Sequence, residues 1–359
     1  MKIVTVVGAR PQFIKAAVVT RALGKKNNIQ EIIVHTGQHY DNNMSGIFFE
    51  EMQIPKPAYN LQIKEKMHGA MTAKMLEGLE KIFIIEKPDT VLVYGDTNST
   101  LSAAIAASKL HIPVAHIEAG LRSFNMQMPE EINRIITDRL SSFLFCPTQQ
   151  AINNLNEEGF SKFNCSVYLA GDVMFDAAMY YYKKASSDIL QNFFLNPEQY
   201  FLCTLHRAEN TNNIERLKSI VKALNILHTR FPVIVPLHPR TVNYLKEFNI
   251  TTEFTILKAV GYIDMLQLIA NSKLILTDSG GLQKEAFFFK KFCITLRDET
   301  EWVELVEHGC NAVTGADTEK ILKETNNFLH QSFKENMVFY GNGNAGEKIA
   351  EILETSLFQ

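Results

Sequence analysis

Charged and imidazole side chains follow several of the short apolar runs in this sequence, close to where each run ends. The residues in this position are Arg10, Asp96, Glu118, His206, His238 and the pair Asp278–Ser279. In open parallel sheets, ligands bind outside the carboxyl ends of the strands. A loop needs only Ser, Asn or Gly in order to turn. This set of carboxylates, imidazoles and a guanidinium therefore predicts acid–base chemistry and the binding of an anion.

The segment Thr277–Gly281 is a candidate phosphate site. Small residues that open a helix expose backbone N–H groups at its positive end. An ordinary N-cap at Ser279, followed by a tight turn, explains the segment equally well. Glu285 lies about one turn further on, where it could accept hydrogen bonds from a ribose, or could be a solvated acid. Arg10 and Lys15 add two cations suited to a diphosphate.

Three carboxylates, Asp96, Glu118 and Glu130, are candidates for proton transfer. Carboxylates that lie close together have pKa values that are pushed apart, so that one serves as base and another as acid. Glu130 also fits a simpler role as a helix-start acid stabilised by the helix dipole. His206 could donate to a phosphate or carry a proton, although a lone histidine is more often structural.

Several common sites are missing from the sequence. No Gly-x-Gly-x-x-Gly follows the first apolar run, which argues against a dinucleotide cofactor. Tyr180 and Lys184 match the Tyr-x-x-x-Lys spacing of nicotinamide-dependent enzymes, but without those glycines we interpret them as neighbours on a helix surface. The phosphate-binding loop of ATPases is absent, and no His, Cys and Asp pattern specifies a metal. We therefore predict neither a cofactor nor a metal.

Strand-like apolar runs alternate with helical patterns along the whole chain, from Ile3–Val7 to a predicted final helix at Ala345–Leu357. Near-continuous apolar strands, each followed by a helix, indicate parallel sheets that are buried on both faces. One sheet would need too many strands. We therefore predict an α/β protein with two doubly wound, Rossmann-like domains that face a cleft, at 1–171 and 172–344. A last helix at 345–359 could pack back on the N-terminal domain.

Composition narrows the class of partner. The 359 residues include 36 Lys and Arg against 39 Asp and Glu, and no run of like charges. This balance disfavours nucleic acid and favours a small-molecule partner. The five cysteines are scattered and never spaced as Cys-x-x-Cys, which is typical of a reducing compartment. No signal-peptide pattern and no apolar run of ~20 residues is present, so we expect a cytoplasmic protein without membrane contact.

Taken together, the motifs resemble those of the non-hydrolysing UDP-N-acetylglucosamine 2-epimerases, essentially end to end. The segments that carry the resemblance are GARPQFIK (Gly8–Lys15), HTGQH (His35–His39), YGDTNST (Tyr94–Thr100), HIEAGLRS (His116–Ser123), MPEEINR (Met128–Arg134), TLHRAEN (Thr204–Asn210), LHPRT (Leu237–Thr241) and TDSGGLQKEA (Thr277–Ala286). The resemblance implies a two-domain, glycosyltransferase-B-like fold and a homodimer.

It also implies roles for individual residues. The diphosphate would be held by Arg10, His206, Ser279, Gly280 and Gly281. Glu285 would bind the ribose and the stretch Val260–Met265 the uracil. The hexose would be surrounded by Lys15, Asp96, Glu118, Glu130 and Arg134. The implied reaction is an anti elimination of UDP to a 2-acetamidoglucal, followed by re-addition after the C2 proton returns from the other face.

Two departures from the family pattern bear on substrate and regulation. The run Thr300–Glu304 has Trp302 where many members have an arginine near the ligand, and Arg297 is expected to compensate. This run and Gln12 look more like the branch that acts on UDP-2,3-diacetamido-2,3-dideoxy-glucuronate, a precursor for surface polysaccharides. Ala208 interrupts a segment that forms a regulatory site in the family. A UDP-sugar-dependent glycosyltransferase and a sugar-nucleotide sensor without turnover are the alternatives.

Overall fold

The computed structural model describes residues 1–37, 52, 54–184, 188–258, 260–334 and 336–356 of the chain. Three predicted features lie at least partly outside these residues. They are nearly all of a helix that the sequence pattern predicts near Asp41–Met52, the end of the HTGQH motif, and Leu357 at the end of the predicted final helix.

Thirteen strands and fifteen α-helices are present in the described residues. The strands are β1 (Lys2–Val7), β2 (Gln30–His35), β3 (Tyr59–Asn60), β4 (Thr90–Tyr94), β5 (Val114–Ile117), β6 (Phe143–Cys146), β7 (Ser166–Leu169), β8 (Phe201–Thr204), β9 (Val233–Leu237), β10 (Thr255–Lys258), β11 (Leu274–Thr277), β12 (Cys293–Thr295) and β13 (Asn311–Val313). The helices are α1 (Arg10–Leu23), α2 (His68–Glu86), α3 (Asn98–Lys109), α4 (Pro129–Leu140), α5 (Gln149–Glu157), α6 (Val173–Lys184), α7 (Ile189–Asn192), α8 (Ala208–Thr211), α9 (Ile214–His228), α10 (Pro239–Glu247), α11 (Tyr262–Asn271), α12 (Gly280–Phe288), α13 (Val303–Glu307), α14 (Thr318–Leu329) and α15 (Ala345–Ser356).

The strands form two separate parallel sheets, which confirms the predicted α/β class. The first sheet has seven strands in the order β3-β2-β1-β4-β5-β6-β7, and the second has six in the order β10-β9-β8-β11-β12-β13. Each sheet starts at its centre and is then wound in both directions, the order typical of doubly wound nucleotide-binding folds. The order reverses beside β1 in the first sheet and beside β8 in the second. The residues after these strands are therefore the ones to examine for a site.

Apolar residues on both faces of the central strands explain why each sheet is covered by helices on both sides. In the second sheet, Phe201 and Cys203 of β8 pack in one core cluster with residues of α9. The residue between them, Leu202, packs on the opposite face with residues of α11 and α12. Side chains alternate between the faces of a strand, so a run that is apolar at every residue needs cover on both.

Some short strands and two helices of the structure are not predicted by the sequence pattern. Strands β3 and β13, of two and three residues, are too short to produce a hydrophobic period. Helices α5 and α14 were also not predicted, although Thr148 and Asp317 cap them through their side chains. The two strands lie at the edges of their sheets, and none of these elements changes the class of the fold.

The described chain divides into two compact units, Met1–Ala177 with Val338–Gln359, and Ala178–Met337. The final helix α15 belongs to the first unit and packs against α1. Ion pairs Lys25–Glu347 and Lys26–Glu354, at 2.7 and 2.8 Å, join the two helices. The domain limits expected from the sequence, 171 and 344, stay a prediction.

Asp176 connects α6 to the start of α15. Its Oδ2 accepts a hydrogen bond of 2.9 Å from the backbone N–H of Gly346, and the side chain is buried. Burial raises the pKa of the Asp176 carboxyl to about 6, from an ordinary value of 3.8. The folded protein therefore keeps a proton here that the unfolded chain has already lost between pH 4 and pH 6. Stability contributed by this group is present at low pH and falls as the pH rises through this window.

We expect Asp176→Asn to remove this pH dependence, because an amide does not titrate. Relative to the variant, the free energy of unfolding of the wild type should fall by about 3 kcal/mol between pH 4 and pH 7. Denaturant unfolding at several pH values measures the difference. A difference that stays constant over that range would contradict the assignment.

Candidate active site

The carboxyl edge of the first sheet brings together the ends of three neighbouring strands, β1, β4 and β5. Gln12 joins two of these ends. Its Oε1 accepts from the backbone N–H groups of Gly8 and Ala9 at 2.8 and 3.0 Å, and its Nε2 donates to the carbonyl of Tyr94 at 2.9 Å. A buried amide that uses both its ends in this way fixes the loops from which Arg10 and Asp96 extend.

Lys15 and Glu118 form an ion pair at this edge. Lys15 Nζ donates to Glu118 Oε2, and both side chains are about nine-tenths buried. A side chain on Gly95 would begin 3.2 Å from each of these two atoms, and Gly95 has a φ of +61°. A glycine is therefore needed between the pair and the end of β4, for space and for backbone conformation.

Asp96 is paired with Arg134 from the first turns of α4. Arg134 Nη2 donates to Asp96 Oδ2 at 2.5 Å, and Arg134 Nη1 donates to Glu131 at 2.7 Å. Glu131 is itself anchored, because it also accepts hydrogen bonds from the backbone N–H groups of Ser123 and Phe124. A guanidinium held on two sides is fixed in orientation, so Glu131 positions Arg134 against Asp96.

Sequence reasoning selected Glu130 and passed over its neighbour Glu131. Glu130 is exposed, whereas Glu131 is 1% exposed. Adjacent helical residues point about 100° apart, so the structure was needed to decide which acid faces inward. The spacing of three residues between Glu131 and Arg134 was the available signal. A role for Glu130 toward a substrate stays a prediction.

Glu118 has an unusual backbone conformation. Its φ is +73°, a region that residues other than glycine seldom occupy. The N–H groups of Glu118 and Ala119 both donate to the carbonyl of Phe145 at 3.1 Å, which holds the turn. Such strain is worth about 1–3 kcal/mol and often marks functional residues. It aims the Glu118 carboxylate at Lys15.

A buried network of hydrogen-bonded side chains supports the loops that follow β4 and β5. His116, in the middle of β5, makes a contact of 2.8 Å from Nε2 to the carbonyl of Gly95 and one of 2.7 Å from Nδ1 to Asp138. Asp138 also accepts a hydrogen bond from Arg122 Nη1 at 2.7 Å. The Nε of the same arginine donates to Glu158. Burial alone would raise the pKa of Asp138, but the hydrogen bonds and charges of His116 and Arg122 hold it below its usual value. Sequence reasoning missed this network because its members lie in four different elements.

The carboxyl edge of the second sheet contains the predicted phosphate segment. Ser279 is the N-cap of α12, and its Oγ accepts from the N–H of Leu282 at 3.5 Å. A side chain on Gly280 would begin 2.2 Å from Glu301, whereas nothing lies within 4 Å of one on Gly281. Glu285, further along α12, is buried. The N-terminus of α12 thus presents a small backbone at its positive end, open at Gly281 and approached by Glu301 at Gly280. Backbone N–H groups at such a position can bind an anion.

His206 lies after β8, beside the start of α12. Its side chain is 52% exposed, and its Nδ1 is 3.0 Å from Oδ1 of the fully buried Asp278. The backbone N–H groups of His206 and Arg207 also donate to Asp278, both at 2.9 Å. The structure therefore brings His206, Ser279 and the two glycines to the same sheet edge.

Arg297 and Trp302, the two residues expected to bear on the substrate, have different hydrogen-bonding partners. Arg297 is buried, donates to Glu301 at 2.9 Å and lies 3.8 Å from Glu209. Trp302 is buried too, and its indole Nε1 donates to the carbonyl of Gly280 at 2.9 Å. Trp302 therefore supports the first turn of α12 through this hydrogen bond. Compensation by Arg297 for a missing cation stays a prediction.

The remaining predicted residues have less specific surroundings. His238 is exposed and caps α10, its Nδ1 accepting from the N–H of Arg240 at 3.2 Å. Val260 and Met265 are partly buried against the core cluster below α11 and α12. Lys184 Nζ lies 4.6 Å from the ring of Tyr180 within one helix, in agreement with the interpretation of these two residues as helix-surface neighbours.

No group of three or more His, Cys, Asp and Glu side chains within the described ranges is arranged to hold a metal ion. Among the helices described above, none combines the length and apolar character required to cross a bilayer.

Comparisons with known proteins agree along nearly the whole chain. Residues 21–354 match the family model described as UDP-N-acetylglucosamine 2-epimerase. The chain is 52% identical to UDP-2,3-diacetamido-2,3-dideoxy-D-glucuronate 2-epimerase of Pseudomonas aeruginosa, over 98% of this chain and 99% of that protein. It is 46% identical to UDP-N-acetylglucosamine 2-epimerase of Methanocaldococcus jannaschii, over 98% and 99%.

Solved structures of similar proteins have the same fold. The M. jannaschii UDP-GlcNAc 2-epimerase in complex with UDP-GlcNAc and UDP superposes with a TM-score of 0.88 at 46% identity, over 99% of both chains. The UDP-GlcNAc 2-epimerase of Neisseria meningitidis, bound to UDP-GlcNAc, gives 0.89 at 33% identity, over 99% of this chain and all of that one.

Proposed function

The chain belongs to the UDP-N-acetylglucosamine 2-epimerase family, and on this basis we propose that it inverts the configuration at C2 of a UDP-linked 2-acetamido sugar. No cofactor takes part in this proposal. The sugar chemistry is assigned to the carboxyl edge of the first sheet, and binding of the UDP moiety to the carboxyl edge of the second.

The observation that carries the proposal is the pair of carboxylate–cation contacts, Lys15–Glu118 and Arg134–Asp96, at adjacent strand ends. The hydrogen on C2 is weakly acidic, so its removal needs a positioned base. Its return to the other face needs a positioned acid. Two carboxylates, each with its own cation, meet both needs without a redox step.

The steps balance as an elimination and its reverse. A carboxylate takes the C2 proton while the C1–O bond breaks, and UDP leaves with the bonding electron pair. The product is a 2-acetamidoglucal with a double bond between C1 and C2. A proton is then delivered to C2 from the opposite face, and UDP adds back to C1.

The departing diphosphate gains charge and needs cations and N–H groups around it. Arg10, His206 and the N-terminus of α12 are of the right chemical type. We assign Ser279, Gly280 and Gly281 to phosphate contacts through their backbone N–H groups, and Glu285 to the ribose. Val260 to Met265 would contact the uracil.

The choice of sugar is supported by the similarity at 52% identity to the Pseudomonas aeruginosa enzyme, which is named for UDP-2,3-diacetamido-2,3-dideoxy-D-glucuronate. We propose that sugar as the preferred substrate, with UDP-N-acetylglucosamine as the alternative. The family resemblance further favours a homodimer that works in the cytoplasm. Light scattering of the purified protein tests the dimer.

Proton NMR in deuterium oxide tests the reaction. The purified protein is incubated with each UDP-sugar separately, without added cofactor. We expect deuterium at C2 and a product of manno configuration, formed faster with the 2,3-diacetamido uronate. Exchange requires breakage of the C2–H bond, which no simple sugar transfer involves.

A glycosyltransferase of the same fold would keep its C2 hydrogen and would need an acceptor. A sensor would bind both sugars and change neither. Binding without any C2 exchange over a long incubation would therefore overturn the epimerase proposal.

A further inference from the structure

Asp278 is a buried charge at the second sheet edge that the proposed chemistry does not yet use. It follows β11 directly and is 0% exposed. Its Oδ2 accepts from the backbone N–H groups of His206 and Arg207, each at 2.9 Å, and from Asn210 Nδ2 at 3.4 Å, and its Oδ1 also accepts from the His206 N–H at 3.2 Å. The remaining contact, at 3.0 Å, is to Nδ1 of the His206 ring.

The charge state of Asp278 determines which of the two side chains carries the proton in the contact between Asp278 and the His206 ring. Burial by itself would raise the pKa of the Asp278 carboxyl, but the hydrogen bond and charge of His206, and the backbone N–H groups of Arg207 and His206, hold it below its usual value. An ionised carboxylate only accepts hydrogen bonds. The proton between the two side chains must therefore belong to Nδ1.

The two ring nitrogens of His206 consequently differ. Nδ1 is committed to Asp278, while half of the side chain remains exposed. In a neutral ring with a proton on Nδ1, the other nitrogen, Nε2, has a free lone pair. It can take up a proton and then donate it.

We propose that Asp278 is a positioning residue for His206, which keeps the ring proton on Nδ1 and offers Nε2 to the diphosphate of the UDP-sugar. The proposal rests on the proposed function, because it assigns an atom to the leaving group of that reaction. To donate, Nε2 must carry a second ring proton, taken up from solvent before UDP leaves. The bond from Nε2–H to a β-phosphate oxygen then becomes stronger as charge builds up on that oxygen. No bond other than C1–O and C2–H needs to break for this.

Nitrogen-15 NMR of the histidine rings tests the tautomer directly. The chain contains 10 histidines, so the His206 signals are assigned as those lost in His206→Asn. We expect Nδ1 of the wild type to be protonated, whether Nε2 is bare or protonated. A neutral ring with its proton on Nε2 alone would overturn the proposal. This measurement needs no activity.

Addition of UDP to the same sample tests which nitrogen meets the phosphates. The Nε2 signal should shift while Nδ1 stays protonated. Shifts elsewhere in the protein with Nε2 unchanged would overturn the assignment of Nε2. If UDP caused no shift anywhere, the proposed function would fail, and the tautomer result would still decide the pairing of Asp278 with His206.

Asp278→Asn tests the consequence for the reaction. The amide keeps the shape of the carboxylate but can present an NH₂ group to Nδ1, so that only Nε2 carries a proton. The ring can then no longer be protonated on both nitrogens and meets the diphosphate as a neutral donor. We expect kcat to fall by about 10²-fold, with a smaller change in KM. In a purely structural role, activity and folded fraction would fall together, and the thermal unfolding midpoint measures the latter.

A double-mutant cycle separates the two roles. If Asp278 acts through His206, adding Asp278→Asn to His206→Asn should lower kcat no further. An equal loss in both backgrounds would overturn the proposal. If Asp278→Asn does not fold, the tautomer of the wild-type ring remains decisive.

Discussion

Asp96→Asn is expected to lower kcat for C2 epimerisation by about 10³-fold, while binding of UDP changes little. General acid–base groups contribute about 10²–10⁴-fold. Asparagine has the shape of aspartate, and its Oδ1 can keep the contact with Arg134, which is 2.5 Å long in the wild type. The loss would therefore report the missing proton acceptor rather than a displaced loop. The rate of product formation measures this loss.

Asp89→Asn is a matched control, because Asp89 precedes the same strand, β4, at its amino end. It is exposed, and its Oδ2 accepts from the N–H of Lys2. Activity should be unchanged in this variant. Full turnover by Asp96→Asn would remove Asp96 from the proton-transfer role.

Glu118→Gln, measured under the same conditions as Asp96→Asn, shows how proton transfer is divided between the two carboxylates. If one carboxylate serves each face of C2, each single variant blocks epimerisation at a different step. A variant that keeps the carboxylate for one face should still exchange deuterium into the epimer whose C2 hydrogen lies on that face. Exchange without epimerisation would thus identify which carboxylate serves which face.

Asp138→Ala is expected to lower the free energy of unfolding by about 3–5 kcal/mol, the usual effect of removing one partner from a buried charge network. Asp138 is completely buried and accepts from His116, Arg122 and the backbone N–H of Gly120. All three donors would lose a partner at once. Urea unfolding measures the change, and intrinsic fluorescence of the tyrosines and Trp302 follows the transition.

Asp298→Ala is the control, because Asp298 also pairs with an arginine at 2.9 Å but is 72% exposed. Surface pairs contribute about 0–1 kcal/mol, so this variant should be nearly as stable as the wild type. Equal destabilisation by the two variants would contradict the importance of burial. Because His116 also contacts the carbonyl of Gly95, we expect the Asp138 variant to lose activity even under conditions where it is folded.

Helix α4 shows why part of the site could not be predicted from the sequence. Its buried residues are all polar: Glu131, Asn133, Arg134, Thr137 and Asp138. Two of its three isoleucines, Ile132 and Ile136, are 40% and 37% exposed. A hydrophobic pattern assigns apolar residues to the core, so it selects the wrong face of this helix. Buried polar groups need hydrogen-bonding partners. For α4 these partners come from β5, α3 and the loops after β4 and β5.

The sequence by itself determined the class of the fold and the family. Apolar strands that alternate with helices require parallel sheets covered on both faces, and too many strands for one sheet require two. It also located the chemistry at strand ends, because Asp96, Glu118, His206 and Ser279 each follow an apolar run. These inferences depend on local pattern, which the order of residues contains.

The tertiary structure decided which side chains are paired. It showed that Glu131 is buried while Glu130 is exposed, and that Trp302 contacts the first turn of α12. It also showed that His206 pairs with Asp278 across 72 residues of sequence. Ion pairs and hydrogen bonds act over a few ångströms in space and have no fixed spacing along the chain. Only the folded arrangement of the sheets brings such partners within reach of one another.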